Sequence, residues 1–429
     1  MTERLWIVRD DDVIADLDRD ADGRLRLQFR PQVVARPSAV PLISVSLPVR
    51  AEPYNEKTVA SFFDGVLPEG LVRERLATRF RLDPNDVFGL LHEFGRDCAG
   101  ALVVIPEGED LTAARTGGVR WLTEVALAET VANLTTRPLA NEPSEGIRIS
   151  LAGTQNKTAV VVEGDRVGLP LGTTPSTHIL KPASTERRSA REERLKYPSL
   201  VANEAFCSVL AGHVGLHVAS ISIRSIDGEP ALLIERYDRS GSGANVTRVH
   251  QEDFCQALGL PRTRKYEADG GPSLADHLGL VQRTSVDVFA DQPELLDRVA
   301  FNYLIGNDDA HAKNFSLLHG AGGSRLAPAY DLLSTFVYPD LKKEMATAIN
   351  GMYDGRALQP VHWTKMFRQL HLSERLYSKR LVALAERVEA ALPLASDQLH
   401  RWNLGNGTLE QLTTLVLRRV RSLKALASS

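Results

Sequence analysis

Apolar residues near the start of the chain come in short runs, LWIV at 5 to 8 and RLRLQF at 24 to 29, around the polar stretch DADG at 20 to 23. Such runs are the pattern of half-buried strands and Asp-Gly is a hairpin turn pair, so strands joined at Asp22 and Gly23 are expected. From Val59 to Leu91 the period changes. Phe62, Phe63, Val66 and Leu67, then Leu71, Leu76 and Phe80, recur at three- and four-residue spacings and predict helices. GRDCAGALVVI, 95 to 105, reads as a turn into a buried strand.

A helix is expected at 122 to 134, followed by TTRPLANEPSEG, whose polar residues and prolines mark a connector. Segments 147 to 163, 177 to 182, 218 to 226 and 230 to 236 are short and rich in Ile, Val and Leu, which predicts a small sheet. The run ERRSAREERLK at 186 to 196 interrupts it as a solvated loop or a regulatory segment. Beyond about residue 245 the pattern is mostly helical and ends in LEQLTTLVLRRVRSLKALA, with an apolar stripe to pack on the rest of its lobe. The expected division is 1–140, a β-containing N-terminal domain; 141–240, nucleotide-binding small-lobe elements; and 241–429, a helical lobe.

The chain has 429 residues, 43% hydrophobic and 24% charged, an ordinary soluble globular composition. A net charge of -3 offers no overall field toward nucleic acid or an anionic membrane. Cys98, Cys207 and Cys255 lack the spacing of a zinc site or a disulfide framework, which fits a reducing cytoplasm. The first dozen residues are acidic and no stretch of 18 apolar residues occurs, so neither export nor a membrane span is expected. Asp18, Asp20, Asp22 and Gly23 imitate the opening of a calcium loop, but Phe29 stands where its bidentate Glu is required, so a polar hairpin is the better reading.

Candidate chemistry is concentrated in FNYLIGNDDAHAKNFSLLHGAGGSRLAPAYDLLS, 301 to 334. Phosphoryl transfer from ATP needs a carboxylate near the attacking hydroxyl and oxygen ligands that hold Mg2+ against the phosphates. Asp309 and Asn314 five residues apart, then a glycine-rich hairpin, then Asp331, supply those groups in the order of protein kinases, with YDL where DFG is usual. The expected fold class is therefore α+β, a two-lobed protein-kinase-like fold with a β-containing N-terminal domain and a mainly α-helical C-terminal lobe. Asp308 is read as a turn residue. Lys313 can neutralise charge on the transferred group, and His311 either braces the loop or touches nucleotide.

Upstream, ISLAGTQNKTAVVV has the form of a small-residue turn in which N–H groups around Gly153, with Lys157, can cradle phosphates. Lys181 at the end of HILKP needs an anionic partner, and Glu204 on the helix ANEAFCSVLAGHVG is a candidate, the alternative being a solvated helix face. ALLIERYDR, 231 to 239, is placed as the hinge beside adenine, with Glu235, Arg236 and Tyr237 lining it and Asp238 near the ribose.

Together SLAGTQNK, HILKP, NEAFC, ERYDR, HQEDFCQALG, DAHAKNFSLL and YDLLS resemble the HipA family of bacterial toxin kinases, and FFDGVLPEG and GRDCAGAL resemble its N-terminal domain. The resemblance implies Asp309 as proton acceptor and Asn314 and Asp331 as magnesium ligands. It implies ATP contacts from Ala152, Gly153, Thr154, Gln155, Asn156, Lys157, Lys181, Glu235, Arg236, Tyr237, His311, Lys313, Asn314 and Asp331. Ser150 matches the serine whose autophosphorylation inactivates family members. The resemblance further implies a toxin that phosphorylates a translation component, typically an aminoacyl-tRNA synthetase. A helix-turn-helix, HipB-like antitoxin would hold it and make most of the contact with DNA. A small-molecule kinase and a nucleotide-binding co-repressor subunit are the alternative functions.

Overall fold

The structure is a computed structural model that describes residues 3–36, 38–54, 56–110, 117–142, 144, 146–153, 155–183, 199–405 and 407–428. The charged run 186–196 and Thr154 lie outside the described residues. The chain forms two compact units, the first comprising Met1–Pro182, Arg224–Arg262 and Leu317–Arg325, the second Ala183–Ile223, Thr263–Ser316 and Leu326–Ser429.

In the first unit β1 (Glu3–Arg9), β2 (Asp12–Arg19), β3 (Leu25–Phe29) and β4 (Val103–Pro106) form a sheet in the order β3-β2-β1-β4. Asp10 and Asp11 take left-handed conformations (φ 47° and 74°), so β1 turns tightly into β2, which pairs Arg9 with Asp12. The Asp22–Gly23 turn therefore joins β2 to β3, not the LWIV strand to its successor as the sequence pattern suggested. The intervening strand is masked in the pattern by its acidic residues, which the fold pairs with cations: Arg30 donates to Asp16 and Arg4 to Asp18, each at 2.6 Å. At the turn itself the Asp20 carboxylate accepts the N–H groups of Asp22 and Arg24, both at 2.9 Å.

Three helices follow, α1 (Glu56–Val66), α2 (Gly70–Phe80) and α3 (Val87–Phe94), where the three- and four-residue spacing placed them. Phe62, Phe63, Leu76, Leu91 and Phe94 are buried, and one continuous apolar core runs from Leu5, Ile7 and Leu27 through these side chains to Ile149, Val160 and Leu180. On either side of α4 (Glu124–Ala132) in the chain lie the strands of a second sheet, β5 (Gly118–Trp121) before it and β6 (Thr158–Glu163), β7 (Arg166–Leu171), β8 (His178–Pro182), β9 (Ile221–Ile226) and β10 (Glu229–Glu235) after it, in the order β5-β7-β6-β8-β10-β9.

Two differences from the sequence pattern matter. Residues 147–153 and 155–157 contribute only isolated bridges at Ile147 and Ile149, so the strand begins only at Thr158. β5 and β7 are extra members, and β7 carries Gly168 and Pro170, which read as chain punctuation. The glycine is required by close approach, since a Cβ there would lie 2.4 Å from Val119 of β5. Among the described residues a third sheet, β11 (His250–Asp253), β12 (Ser316–Gly320) and β13 (Gly323–Leu326), completes the strands longer than two residues.

The second unit is mainly helical: α5 (Leu200–His213), α6 (Leu274–Thr284), α7 (Val288–Ile305), α8 (Pro360–Gln369), α9 (Glu374–Arg401) and α10 (Gly407–Lys424). α5 is buried on nearly every face and packs against α9 and α10. Among the described residues no helix is long and apolar enough to cross a membrane. Helices and sheets together make the fold α+β, as the order of segments suggested.

Candidate functional site

In the first unit residues 155–157 run directly into β6, and Thr158 pairs with Leu180, so Lys181 of β8 lies at the loop end of the sheet. Lys181 is buried and stands opposite Leu232 of β10. Within the loop, Gly153 has φ 106°, a conformation L side chains rarely adopt, and its carbonyl accepts the Glu69 N–H at 3.2 Å. Lys157 Nζ donates to the Ala152 carbonyl. Ser150 is fully buried: its N–H donates to the Asp97 carbonyl at 3.0 Å and its hydroxyl to the Val66 carbonyl at 2.9 Å. Ala152, Gln155 and Asn156 are half-buried in the same loop.

Glu235 ends β10 and is exposed, paired with His178 at the far end of β8 from Lys181. Tyr237 donates its hydroxyl to Gln251. Arg236 and Asp238 turn inward. The Arg236 guanidinium donates to both Asp238 oxygens (3.0 and 2.8 Å), to the Ser176 hydroxyl (2.9 Å) and to the Cys98 carbonyl (2.9 Å). Asp238 also accepts the Gly100 N–H at 2.6 Å and faces Arg239 at 3.0 Å. Asp238 is thus a buried structural anion, not the ribose contact that its place after the strand suggested.

Asp97 joins this cluster, 3.1 Å from Arg239 and 3.2 Å from Arg248. Burial by itself would raise its carboxyl, but Arg236, Arg239 and Arg248 hold it below the usual range, and Asp238 is held low in the same way. The neighbouring Cys98 thiol is pushed up to about 12 by burial and by the Asp97 charge, so it is inert.

In the second unit, α7 ends at Gly306 in the left-handed region (φ 73°), where a Cβ would meet Leu415 at 2.8 Å and Phe336 at 2.9 Å. This termination starts the loop 307–314. The Asn307 side chain spans it: Oδ1 accepts the Asp309 N–H at 3.2 Å, while Nδ2 donates to Asn302 at 2.9 Å and to the Asp331 carbonyl at 3.3 Å. Asn314 Nδ2 donates to the Asp309 carbonyl at 3.1 Å, so its amide oxygen faces away from that bond. His311 N–H donates to the same carbonyl at 2.8 Å. Asp309, His311, Lys313, Asn314 and Asp331 are therefore brought together within one unit.

Asp331 takes φ 57°, one of the few non-glycine residues in the left-handed region. The chain after it docks on the end of α7, with the Thr335 and Phe336 N–H groups donating to the Gly306 carbonyl at 2.9 and 3.1 Å. Asn203 of α5 clasps Ser334 through both its backbone groups, at 2.8 Å each. The next residue, Glu204, is buried, which excludes the solvated-face alternative. Lys313 is buried, and its carbonyl accepts the Tyr330 hydroxyl at 2.6 Å. Asp308 is structural: its N–H is held by Thr335 at 2.9 Å, and burial, only partly offset by Arg419 and Lys343, raises its carboxyl.

Sequence reasoning missed Asn307, Asn203 and Tyr266, whose hydroxyl donates to Asp309 Oδ1 at 2.6 Å. Asn307 stands two residues before Asp309, so proximity was an available signal; Tyr266 had none. Asn314 and Asp331 offer hard oxygen donors, the composition that suits Mg2+, and the Asn314 bond to the Asp309 carbonyl is made by its amide nitrogen rather than its amide oxygen. Among the described residues there is no cluster of three or more His, Cys, Asp or Glu side chains suited to a metal.

Residues 149–392 match the HipA-like C-terminal domain and residues 5–105 the HipA N-terminal domain. Y4mE of Sinorhizobium fredii, provisionally named a kinase, is 36% identical over 393 residues, covering 90% of this chain and 91% of that protein. The serine/threonine-protein kinase toxin HipA of Shewanella oneidensis is 28% identical over 347 residues, 78% of this chain and 76% of its own length. A solved Shewanella oneidensis complex of HipA, HipB and operator DNA contains a chain that superposes with TM-score 0.80 at 25% identity, covering 99% of this chain and 96% of that one.

Proposed function

The chain belongs to the HipA family, and on that premise we propose that it is an ATP- and Mg2+-dependent serine/threonine protein kinase acting as the toxin of a type II toxin–antitoxin pair. The observation that carries this reading is the hydrogen-bonded set of Asp309, Asn314 and Asp331 around Asn307. Asp309 accepts the proton of the attacking hydroxyl. Asn314 and Asp331 are the residues that would hold Mg2+, which would offset negative charge on the phosphates.

The loop Ala152 to Lys157 with Lys181 serves the phosphates, and Glu235 to Tyr237 serve the base. Arg236 does so through its position in the chain, because its guanidinium is engaged in the buried cluster. His311 to Asn314 complete the nucleotide contacts. A HipB-like helix-turn-helix antitoxin is the partner, with operator DNA reached mainly through it; the HipA–HipB–DNA likeness supports this part of the reading. The protein substrate is a translation component such as an aminoacyl-tRNA synthetase.

Ser150 is the off-switch in this reading. Its hydroxyl is buried against the Val66 carbonyl, so phosphorylation requires the segment to leave that setting, and a phosphate of charge about -1.5 to -2 could not return to it. Nucleotide affinity of the separated phosphorylated and unphosphorylated chains tests the switch, with weaker ATP binding expected for the former.

The decisive experiment compares Asp309→Asn and Asp331→Asn with the native chain in transfer of labelled γ-phosphate from Mg-ATP. Asp309→Asn should lose about 100- to 10,000-fold in rate with nucleotide binding retained, whereas Asp331→Asn should also lose metal-dependent ATP affinity. Near-native transfer by Asp309→Asn would remove the assignment. Phosphoproteomics after brief expression of the native and Asp309→Asn chains would then name the substrate.

A further inference from the structure

The segment 265–271, KYEADGG, has no long element of its own, yet it is stitched to the loop of Asp309 on several sides. The Ala312 N–H donates to the Lys265 carbonyl at 3.1 Å, and the Glu267 N–H donates to the Ala346 carbonyl at 3.0 Å. Glu267 Oε2 accepts the Ala348 N–H at 2.7 Å, and the Ala346 N–H donates to the Asp308 carbonyl at 2.8 Å, which closes the circuit back to the loop. Gly271 N–H donates to the Tyr266 carbonyl at 2.9 Å in a turn so tight that a Cβ on Gly271 would meet carbonyl oxygens at 2.4 and 2.5 Å.

Out of this frame the Tyr266 ring meets His311 edge-on, with centroids 5.2 Å apart and planes at 84°. Its hydroxyl reaches Asp309 Oδ1 at 2.6 Å, the length of a charge-assisted O–H···O bond. A carboxylate on a short side chain can rotate about its last bond. A donor whose own position is over-determined removes that freedom before substrate arrives.

We propose that Tyr266 is a positioning residue for phosphoryl transfer, its phenol fixing the rotation of the Asp309 carboxylate so that the attacking hydroxyl meets a preset acceptor. The proposal rests on the kinase reading above. In the transfer step the acceptor oxygen forms its bond to the γ-phosphorus while the bond from phosphorus to the departing ADP oxygen breaks with its electron pair. The acceptor's proton passes to Asp309, and Tyr266 keeps its own proton throughout.

The test is steady-state transfer of labelled γ-phosphate from Mg-ATP to casein, used as a generic serine acceptor, and to the chain itself, with the full-length protein and Tyr266→Phe. The Phe ring preserves the contact with His311 and removes only the donor. The expected result is a fall in kcat of about 10- to 100-fold, with KM for ATP, affinity for a fluorescent ATP analogue and the melting temperature unchanged. A side chain that merely fills space would leave kcat where it was. Equal or faster transfer by Tyr266→Phe, or a loss carried by KM for ATP, overturns the proposal; faster transfer would instead make the phenol an occupant of the substrate's place. A native chain that phosphorylates neither acceptor removes the kinase reading and Tyr266 with it, while an active native chain matched by its Tyr266→Phe variant removes Tyr266 alone.

Discussion

Asp97 and Asp238 in the first unit and Asp309 in the second are all carboxylates that accept hydrogen bonds, Asp97 and Asp238 from a cluster of arginines and Asp309 from a tyrosine phenol among its partners. Asp97 and Asp238 sit among Arg236, Arg239 and Arg248, with Arg236 and Asp238 almost wholly buried. The Asn307 and Asn314 carboxamides tie the backbone of Asp309, and its carboxylate accepts the Tyr266 phenol. A guanidinium fork both orients a carboxylate and suppresses its affinity for a proton. Amides and hydroxyls orient at a smaller electrostatic cost. The contrast teaches that buried charge pairs build architecture in the first unit, whereas in the second unit carboxamides and a phenol converge on the residue proposed to accept a proton.

The comparison breaks most visibly at Arg236. Arg236→Gln leaves Asp97 and Asp238 buried with one cation fewer, and should lower the stability of the first unit by about 3–5 kcal/mol, read as the midpoint of denaturant unfolding. A loss below about 1 kcal/mol would mean that Arg239 and Arg248 suffice, and that the cluster is redundant.

Acid should separate the two kinds of site next. Burial depresses His277 from 6.5 to about 4, so between those pH values the unfolded chain binds a proton that the folded chain refuses. Stability should therefore fall as pH drops from about 6.5 to about 4, by about 3 kcal/mol for this residue, with buried His250 acting in the same direction. His277→Phe should flatten that part of the profile in thermal melts. Asp97 and Asp238 titrate below their unfolded values, so their contribution is intact above about pH 4 and is lost only in stronger acid.

The smallest and most diagnostic effect is at Asn307. Asn307→Ala should cost about 1–3 kcal/mol of stability, because the Asp309 N–H and the Asp331 carbonyl lose a shared partner. It should also slow phosphate transfer by about tenfold or more through displacement of Asp309 from Asp331. A variant that is destabilised yet transfers at the native rate per folded molecule would show that Asn307 is architecture as well.

The residues that make up the candidate loop were legible because they are close in the chain. Asp309, Asn314, the hairpin and Asp331 fall within 23 residues, and their order carries chemical meaning without any tertiary information. Helices α1 to α3 were legible for a related reason, since their apolar faces repeat within a turn. β2 and β7 were not: Asp16 and Asp18 look like turn residues until Arg30 and Arg4 are brought beside them, and Gly168 looks like a break until Val119 packs over it.

By itself the sequence determined which segments have an apolar face and in what order the candidate chemical groups arrive, because both are encoded over a few residues. Only the tertiary structure decided that Arg236 and Asp238 turn into a buried ion cluster, that Ser150 is sealed against Val66, and that Tyr266 meets Asp309 across a sequence separation of 43. Those outcomes depend on which distant groups share a volume from which water is excluded. Local periodicity does not contain that information, since it records how a segment is buried and not what it is buried against.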